Sequence, residues 1–166
     1  MAYATDGTIG PNVGLTHTTA QFPVGTRVTG NNGTVFVYCS AAAAIGQYRT
    51  VSITSAWAAT QITPANAALA ITVGIAQVAC AASSYFWCAI DGAGLYALID
   101  GTADINPGAL LAPGGLDSGL LALNTISTQQ IVAGIRTVTT ISGTTATSEV
   151  VLNHPHVLLG TEIQQA

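Results

Sequence analysis

The chain has 166 residues, no lysine and a net charge of −4. Charged residues make up 6% of it, against about 25% in an average soluble domain. Its cations are Arg27, Arg49 and Arg136, too few to neutralise a phosphate backbone, so we expect no nucleic-acid partner. A surface with few charges suits permanent contact with other protein, because little charge must be desolvated when an interface forms. The composition therefore indicates a component of a protein assembly.

The hydropathy of the chain raises the question of a membrane partner. The mean hydropathy is +0.52, but the most apolar window, residues 67–82, is interrupted by Thr72, Gly74 and Gln77. This window is also shorter than the roughly 20 apolar residues that span a bilayer. We interpret it as buried strand and expect no membrane partner. The first residues have neither the basic region nor the apolar core of a signal peptide, so none is expected.

The first part of the chain differs in pattern from the rest. Residues 1–20 are polar, rich in threonine and interrupted by Gly7, Gly10 and Pro11, with neither a helical nor a strand period. Such a segment is ordered only where it docks on something. We predict an extended N-terminal arm over 1–20 and a single β domain over 21–166.

A period of two residues begins after Phe22 and predicts strands. The sequence Asn31-Asn32-Gly33 lies between two β-branched and aromatic runs and predicts a hairpin with a type I′ turn. Thr63 followed by Pro64 predicts the start of one short helix. Further strands are predicted over 48–54, 71–78, 85–90, 95–99, 130–139 and 149–152.

Turn signals set the connections between these strands. Asp91-Gly92 predicts a hairpin turn between the strands 85–90 and 95–99, and the repeated Ile-Asp-Gly at Ile90 and Ile99 is interpreted as hairpin spacing. The pattern as a whole predicts an all-β fold, either an antiparallel β-sandwich or a small β-barrel, with at most one short helix. Strand edges are usually protected by lysine. Because this chain has none, we expect neighbouring subunits to cover its edges.

Three cysteines, Cys39, Cys80 and Cys88, are too few for a disulfide framework. We expect three reduced, buried thiols. An alternative is a bridge between Cys80 and Cys88 across a hairpin, which would leave one thiol unpaired.

Residues 92–97 literally fit the Gly-x-Gly-x-x-Ala dinucleotide fingerprint and follow a predicted strand. That site requires the last element to open a helix that holds a pyrophosphate. Asp100-Gly101 comes within one turn and leaves no room for a helix. We interpret the segment as a turn and expect no cofactor.

The candidate metal ligands are His154 and His156, which share one face if they lie in a regular strand. In a trimer, such a pair near the axis would supply six nitrogens to a transition metal. We favour the other interpretation, a polar strand end at which Pro155 stops further pairing, and predict no metal site. His17 has no partner in the sequence and is assigned to the arm.

The acids Asp91, Asp100, Asp104 and Asp117 lie in or beside predicted turns, where aspartate hydrogen-bonds its own backbone. The sequence contains no pair of carboxylates placed for acid–base chemistry, no calcium loop and no serine nucleophile motif. We therefore predict no catalytic residues and no enzyme activity.

Several patterns together resemble the capsid decoration, or cement, proteins of tailed bacteriophages, a group of head-associated structural proteins. They are residues 25–28, 32–38, 44–45, 48–53, 73–79, 85–92, 115–117, 131–135 and 153–155. The resemblance implies a β-rich domain, often a homotrimer, on the exterior of an icosahedral capsid. It also implies synthesis in the host cytoplasm and a major capsid protein as the partner whose neighbouring subunits it clamps.

The alternative function is a head-fibre or lectin-like module that contacts host surface glycans. Sugar binding favours exposed aromatic side chains on one face. Trp57, Tyr96 and Tyr3 are the candidates for such a face.

Overall fold

A computed structural model describes residues 3–5, 8–67, 70, 72–101, 103–114, 119–123 and 130–158. The fold is all-β, as predicted, and its one short helix, α1 (Pro64–Ala67), begins at the predicted proline. The strands are β1 (Tyr3–Thr5), β2 (Thr8–Gly10), β3 (Arg27–Thr29), β4 (Val35–Ala41), β5 (Thr50–Ile53), β6 (Ala58–Gln61), β7 (Thr72–Ala76), β8 (Tyr85–Ile99), β9 (Leu111–Pro113), β10 (Leu121–Leu123), β11 (Ile131–Thr137) and β12 (Ala146–Leu158).

The first half of the domain is a closed five-stranded barrel, the first ring. Its strands follow one another around the ring as β4, β8, β7, β5 and β6, and each neighbouring pair is antiparallel. A parallel pairing of β6 with β4 closes the ring. Side chains that alternate along these strands fill its interior, including Val37, Val51, Phe86 and Cys88. The structure therefore has the barrel of the two predicted alternatives.

The second half repeats the same topology in a second ring. The strands β8, β12, β11, β9 and β10 follow one another with antiparallel pairings, and a parallel pairing of β10 with β8 closes the ring. Strand β8 is thus the last strand of the first ring and the first strand of the second. The chain folds as two consecutive copies of one five-strand topology that share a long strand.

Local details repeat along with the topology. Each ring has one isolated antiparallel bridge, Ile45 with Cys80 in the first ring and Ile105 with Ile141 in the second. In both bridges the two residues exchange both backbone hydrogen bonds, at 2.8 to 2.9 Å. The sequence Gly-Ile-x-x-Val occurs at 74–78 and again at 134–138. These matches indicate an internal duplication that the hairpin interpretation of the Ile-Asp-Gly repeat missed.

The turn before the second strand of each ring repeats as well. The backbone N–H groups of Arg49 and Ala109 each donate to the carbonyl three residues earlier. The residue before each of them, Tyr48 in one ring and Gly108 in the other, has a positive φ, 62° and 88°. Tyr48 therefore adopts a left-handed conformation, which at the equivalent position of the second ring is adopted by a glycine, Gly108.

Strand β8 corrects the hairpin prediction at Asp91-Gly92. The strand runs for 15 residues without reversing, and the dinucleotide-like segment lies inside it. Gly92 and Gly94 have φ of +113° and +71°, and a Cβ on Gly92 would lie 2.7 Å from Cα of Thr34. Glycine at these positions permits an irregular, bulged stretch and a close backbone approach, so the strand passes from one ring into the next instead of turning back.

The N-terminal segment has two parts. Strands β1 and β2 form a separate two-stranded sheet. The stretch that follows lies over the outer face of β4 and β8, where His17 and Tyr85 exchange two backbone hydrogen bonds, of 2.9 and 2.7 Å. Phe22 packs on the rings of Tyr38 and Trp87, with centroid distances of 5.4 and 5.2 Å. The second half of the predicted arm therefore covers the domain itself.

Ring closure also changes the expectation about strand edges. Every strand of the two rings has a partner on each side, as the pairings above show. At the end of the larger sheet lies β3, a strand of three residues that carries Arg27. Apart from β3 and the gap between β9 and β11, which share one residue pair, the edges that we expected neighbouring subunits to cover are thus paired within the chain, because closure removes edges without using charge. Any self-association has to use side-chain surfaces.

The predicted hairpin at Asn31-Asn32-Gly33 is present and joins β3 to β4. Its turn is not of type I′, because Asn31 and Asn32 keep negative φ and Gly33 alone of the three has a positive one, +83°. The N–H of Gly33 donates to the carbonyl of Gly30 at 3.0 Å. Five residues, 30–34, separate the paired strands, and a loop longer than two residues uses a type I turn followed by a left-handed residue.

Replacing Gly33 by valine is expected to lower the free energy of unfolding by about 1–3 kcal/mol. A Cβ on Gly33 would meet nothing within 4 Å, so the loss comes from the backbone conformation and not from a clash. Gly33→Asn is the matched control and should lose less, because asparagine tolerates a positive φ. Denaturant unfolding measures both, and equal midpoints for the wild type and the valine variant would contradict the assignment.

Candidate functional site

The two candidate metal ligands lie at an irregular point of β12. His154 has a φ of +44°, and the register with β11 shifts across this stretch. Pairing resumes beyond Pro155, where Ala133 faces His156. The prediction that Pro155 stops the sheet is therefore wrong, because a bulge accommodates a residue that has no N–H to donate.

The ring nitrogens of the two histidines contact different groups. Nδ1 of His154 lies 3.7 Å from Oδ1 of Asp91, and Nδ1 of His156 lies 3.1 Å from the carbonyl oxygen of His154. Within the described ranges, no three side chains of histidine, cysteine, aspartate or glutamate come together as a ligand group. The shared metal at a trimer axis stays the less favoured of the two hypotheses.

His17 is held by the core in a way that the sequence did not indicate. Its Nδ1 lies 3.0 Å from the hydroxyl of Tyr38, and the N–H of Gln21 donates to the same hydroxyl at 3.2 Å. Tyr38 is fully buried, and burial raises the pKa of its hydroxyl. This contact fixes the N-terminal segment on the first ring.

The aspartates are spread over separate parts of the structure. Asp91 faces His154, and the N–H of Asp100 donates to the carbonyl of Leu121 at 2.7 Å across the closing seam of the second ring. Asp104 is exposed. Asp117 lies outside the described residues. These positions are typical of acids with structural or solvent contacts.

The three cysteines are free and buried, and they line the interior of the first ring. Burial raises the pKa of the Cys39 thiol to about 12. Burial raises the pKa of Cys88 well above its usual value, and the nearby Cys39 adds to the effect. Burial also raises the pKa of Cys80. These thiols are poor nucleophiles, because the thiolate is the reactive form.

We expect the folded protein to show no thiol that reacts rapidly with a disulfide reagent at pH 8. The thiolate is scarce when the pKa is raised, and the interior of the ring excludes the reagent. Unfolding in denaturant should expose all three cysteines to the reagent. A fast-reacting thiol in the native state would show that the ring opens or that a cysteine lies at its surface.

The aromatic candidates for glycan binding are placed differently from one another. Tyr96 is 45% exposed, and its ring lies 5.8 Å from that of Tyr48. Trp57 is half-buried and lies directly over Gly25, where a Cβ would meet its indole ring at 2.5 Å. The side chain of Tyr3 lies outside the described part of the structure. The structure thus brings together one surface aromatic pair, Tyr48 and Tyr96, that includes a predicted residue.

The Tyr48–Tyr96 pair lies at the junction of the two rings. The side-chain amide of Gln77 donates to the carbonyl of Tyr96 at 3.0 Å and accepts from its N–H at 3.2 Å. The N–H of Leu98, in the second ring, donates to the carbonyl of Tyr48, in the first, at 2.8 Å. The end of β8 that pairs in the second ring is therefore hydrogen-bonded to the first ring as well.

A second contact completes the junction. The N–H of Thr50 donates to the carbonyl of Gly119 at 2.9 Å, and the N–H of Gly119 donates to the carbonyl of Ile62 at 2.7 Å. A Cβ on Gly119 would lie 2.8 Å from Cβ of Arg49, so the two rings touch closely here. The sequence contained one signal for this arrangement, the repeated Gly-Ile-x-x-Val.

A groove with a volume of about 430 Å³ opens on the second ring, between residues 108–111 and 132–136. It exists because β9 and β11 share one residue pair, Val132 with Leu111, where β5 and β7 of the first ring share four. Its lining is largely aliphatic, with Arg136 and Asn153 as the polar members. The described residues that line it include no histidine, cysteine, aspartate or glutamate.

Comparison with known proteins adds no family. No protein-family model matches the chain, and no curated protein matches it. Among the described helical residues, those of α1, no segment is long and apolar enough to cross a membrane.

Proposed function

We propose that the protein is a structural virion component that binds the outer surface of a phage capsid and links neighbouring major-capsid subunits. The observation that carries the proposal is the low charge of the chain, with 6% charged residues, because little charge must be desolvated when such a surface binds other protein. The resemblance of its sequence patterns to capsid decoration proteins gives the proposal its specific form.

Mechanical continuity supports a linking role. Strand β8 belongs to both rings, and the junction adds backbone hydrogen bonds between them. A force applied to one ring is therefore transmitted to the other through the continuous chain of β8 and its hydrogen-bonded neighbours. Such a protein needs shape-complementary area repeated by symmetry more than it needs a pocket. Weak contacts become strong when one oligomer binds several capsid subunits at once.

Self-association, most simply as a homotrimer, is part of this proposal. Few charges keep copies of the chain apart, and two large aliphatic side chains of the second ring, Leu110 and Val138, are exposed. The trimer in particular follows from the resemblance, because icosahedral shells offer local three-fold positions. Contacts made by aliphatic groups are expected to persist at high salt, where ion pairs weaken.

An add-back experiment tests the linking role. Particles made without this chain should lose their DNA at a lower temperature than complete particles, and the purified protein should restore the difference. The protein should cosediment with those particles and not with free DNA. Failure to bind shells that lack it would contradict the proposal.

The alternative, a head-fibre or lectin-like module, is favoured by one observation, the exposed Tyr96 beside Tyr48. Stacking of a sugar on these rings should give binding to a host-surface glycan that Tyr96→Ala abolishes. Tyr85→Phe, away from this pair, is the control. Absence of glycan binding by the wild type would exclude the alternative.

A further inference from the structure

At the junction, one face of the first ring, formed by the turn at 46–50, makes hydrogen bonds to the second ring. In the first ring, the turn at 46–50 presents the carbonyl of Tyr48 to Leu98 and the N–H of Thr50 to Gly119. Both acceptor and donor on the other side belong to the second ring. This part of the first ring therefore contacts the second copy of the same topology.

The equivalent face of the second ring is built from the equivalent residues. The turn at 106–110 repeats the turn at 46–50, with Gly108 in the position of Tyr48, and Val138 closes the repeated Gly-Ile-x-x-Val. Leu110 and Val138 are 56% and 44% exposed, and they are two of the five large hydrophobic side chains that are exposed in the described residues. We call this surface, Gly108–Leu110 with Val138 and the adjoining groove, the open face.

At the other end of the two-ring domain, the first ring is covered by the segment that precedes β4. Gly25 donates to the carbonyl of Tyr38 at 2.8 Å, and the N–H of Tyr38 donates to the carbonyl of Thr26 at 2.9 Å. Gly25 also packs on Trp57, and β3 pairs along β4. The segment 25–29 thus caps the first ring, as terminal units of repeat proteins are capped.

The open face carries one positive and one negative side chain, which can pair with those on the open face of another copy. Arg136 lines the groove and is exposed. Glu149 is exposed too, and its carbonyl accepts from the N–H of Val138 at 3.1 Å. A surface that carries one cation and one anion beside aliphatic groups can pair its charges with those of another copy when a rotation axis brings the same face of each copy together.

We propose that the open face is the surface through which copies of this chain dock on one another, burying Leu110 and Val138 of each copy near the rotation axis. This inference rests on the self-association included in the proposed function. The capped end leaves no equivalent surface for open-ended growth, so the association closes. Exposed aliphatic groups and the groove supply the apolar area that such a contact removes from water.

The test compares charge substitutions on two exposed apolar patches by sedimentation at low and high salt. Leu110→Asp combined with Val138→Asp should convert the assembly to monomer at a concentration where the wild type is fully associated. The control, Leu15→Asp combined with Val24→Asp, changes exposed side chains in the N-terminal segment and should leave the assembly intact. Circular dichroism verifies that both variants fold.

A crosslinking measurement supports the test independently of folding losses. Because the native cysteines are buried, Leu110→Cys should form an intermolecular disulfide under mild oxidation, and Val24→Cys should not. If the wild type is associated but the open-face variants remain associated and uncrosslinked, the face is wrong and self-association stands. A wild type that is monomeric at both salt concentrations overturns both. A monomer in which the thiol introduced by Leu110→Cys resists small thiol reagents would show that the chain covers this face itself, which also overturns the inference.

Discussion

Replacing Trp87 by alanine is expected to lower the free energy of unfolding by about 3–5 kcal/mol, the range for a large aromatic residue removed from a core. Trp87 has no exposed surface, and its ring packs 4.9 Å from Tyr38 and 5.2 Å from Phe22. The substitution leaves a cavity between the first ring and the N-terminal segment, and the rigid sheet limits how far that cavity collapses.

Trp87→Phe is the matched variant and should lose much less. The indole Nε1 of Trp87 is buried with no hydrogen-bond partner in the described part of the chain, so phenylalanine removes a polar group that is costly to bury. Chemical denaturation with fluorescence from Trp57 measures both variants. A loss for alanine similar to that for phenylalanine would show that the site collapses, and that Trp87 does not organise this contact.

Truncations of the N-terminus are expected to divide into two classes. Removal of residues 1–10 takes away β1 and β2, which pair with each other and not with the larger sheet, and should leave stability nearly unchanged. Removal of residues 1–22 also takes away Phe22 and the His17 bridge to Tyr85. It should cost about 3 kcal/mol or more, because an aromatic contact with the core is lost and Trp87 is exposed.

Thermal unfolding of the two truncated proteins, with capsid attachment measured in parallel, checks this division. The predicted arm covers residues 1–20, but its second half contacts the domain, so the shorter deletion tests the first half of the arm, which should weaken attachment without unfolding the domain. If the shorter deletion unfolds the domain, the first strands belong to the core. If the longer deletion has no effect on stability, the contacts of Phe22 contribute nothing.

Local features of the fold could be predicted from the sequence. Alternating β-branched residues predicted the positions of β5 and β11. A threonine before a proline predicted the start of α1, and an Asn-Gly pair predicted the β3–β4 hairpin. Each of these depends on residues close together in the chain. The predicted type I′ turn was wrong. The number of loop residues is set by the register of β3 on β4, which is a longer-range property.

The long-range features could not be predicted in this way. Asp91-Gly92 has the composition of a turn, but Gly92 lies against Thr34, and that contact between distant segments keeps β8 extended. Ring closure likewise depends on pairings between β4 and β6 and between β8 and β10. The duplication was visible in Gly-Ile-x-x-Val, but the rest of the two copies differs too much for that pattern to stand out.

The candidate sites show the same division. The burial of the three cysteines followed from composition and was predicted. The pairing of His154 with Asp91 needed the bulge in β12, and the junction residues Gln77 and Gly119 needed the assembled rings. Tyr96 was selected for its aromatic ring, while its position beside Tyr48 follows from the contact between the rings.

The most direct test of the structural role is a count of this chain on purified particles by quantitative mass spectrometry. A protein that links capsid subunits should be present in hundreds of copies, in a fixed ratio to the major capsid protein that does not change with preparation. A handful of copies per particle would indicate a fibre or tail part. Finding the chain only in the host cytoplasm would contradict the structural role altogether.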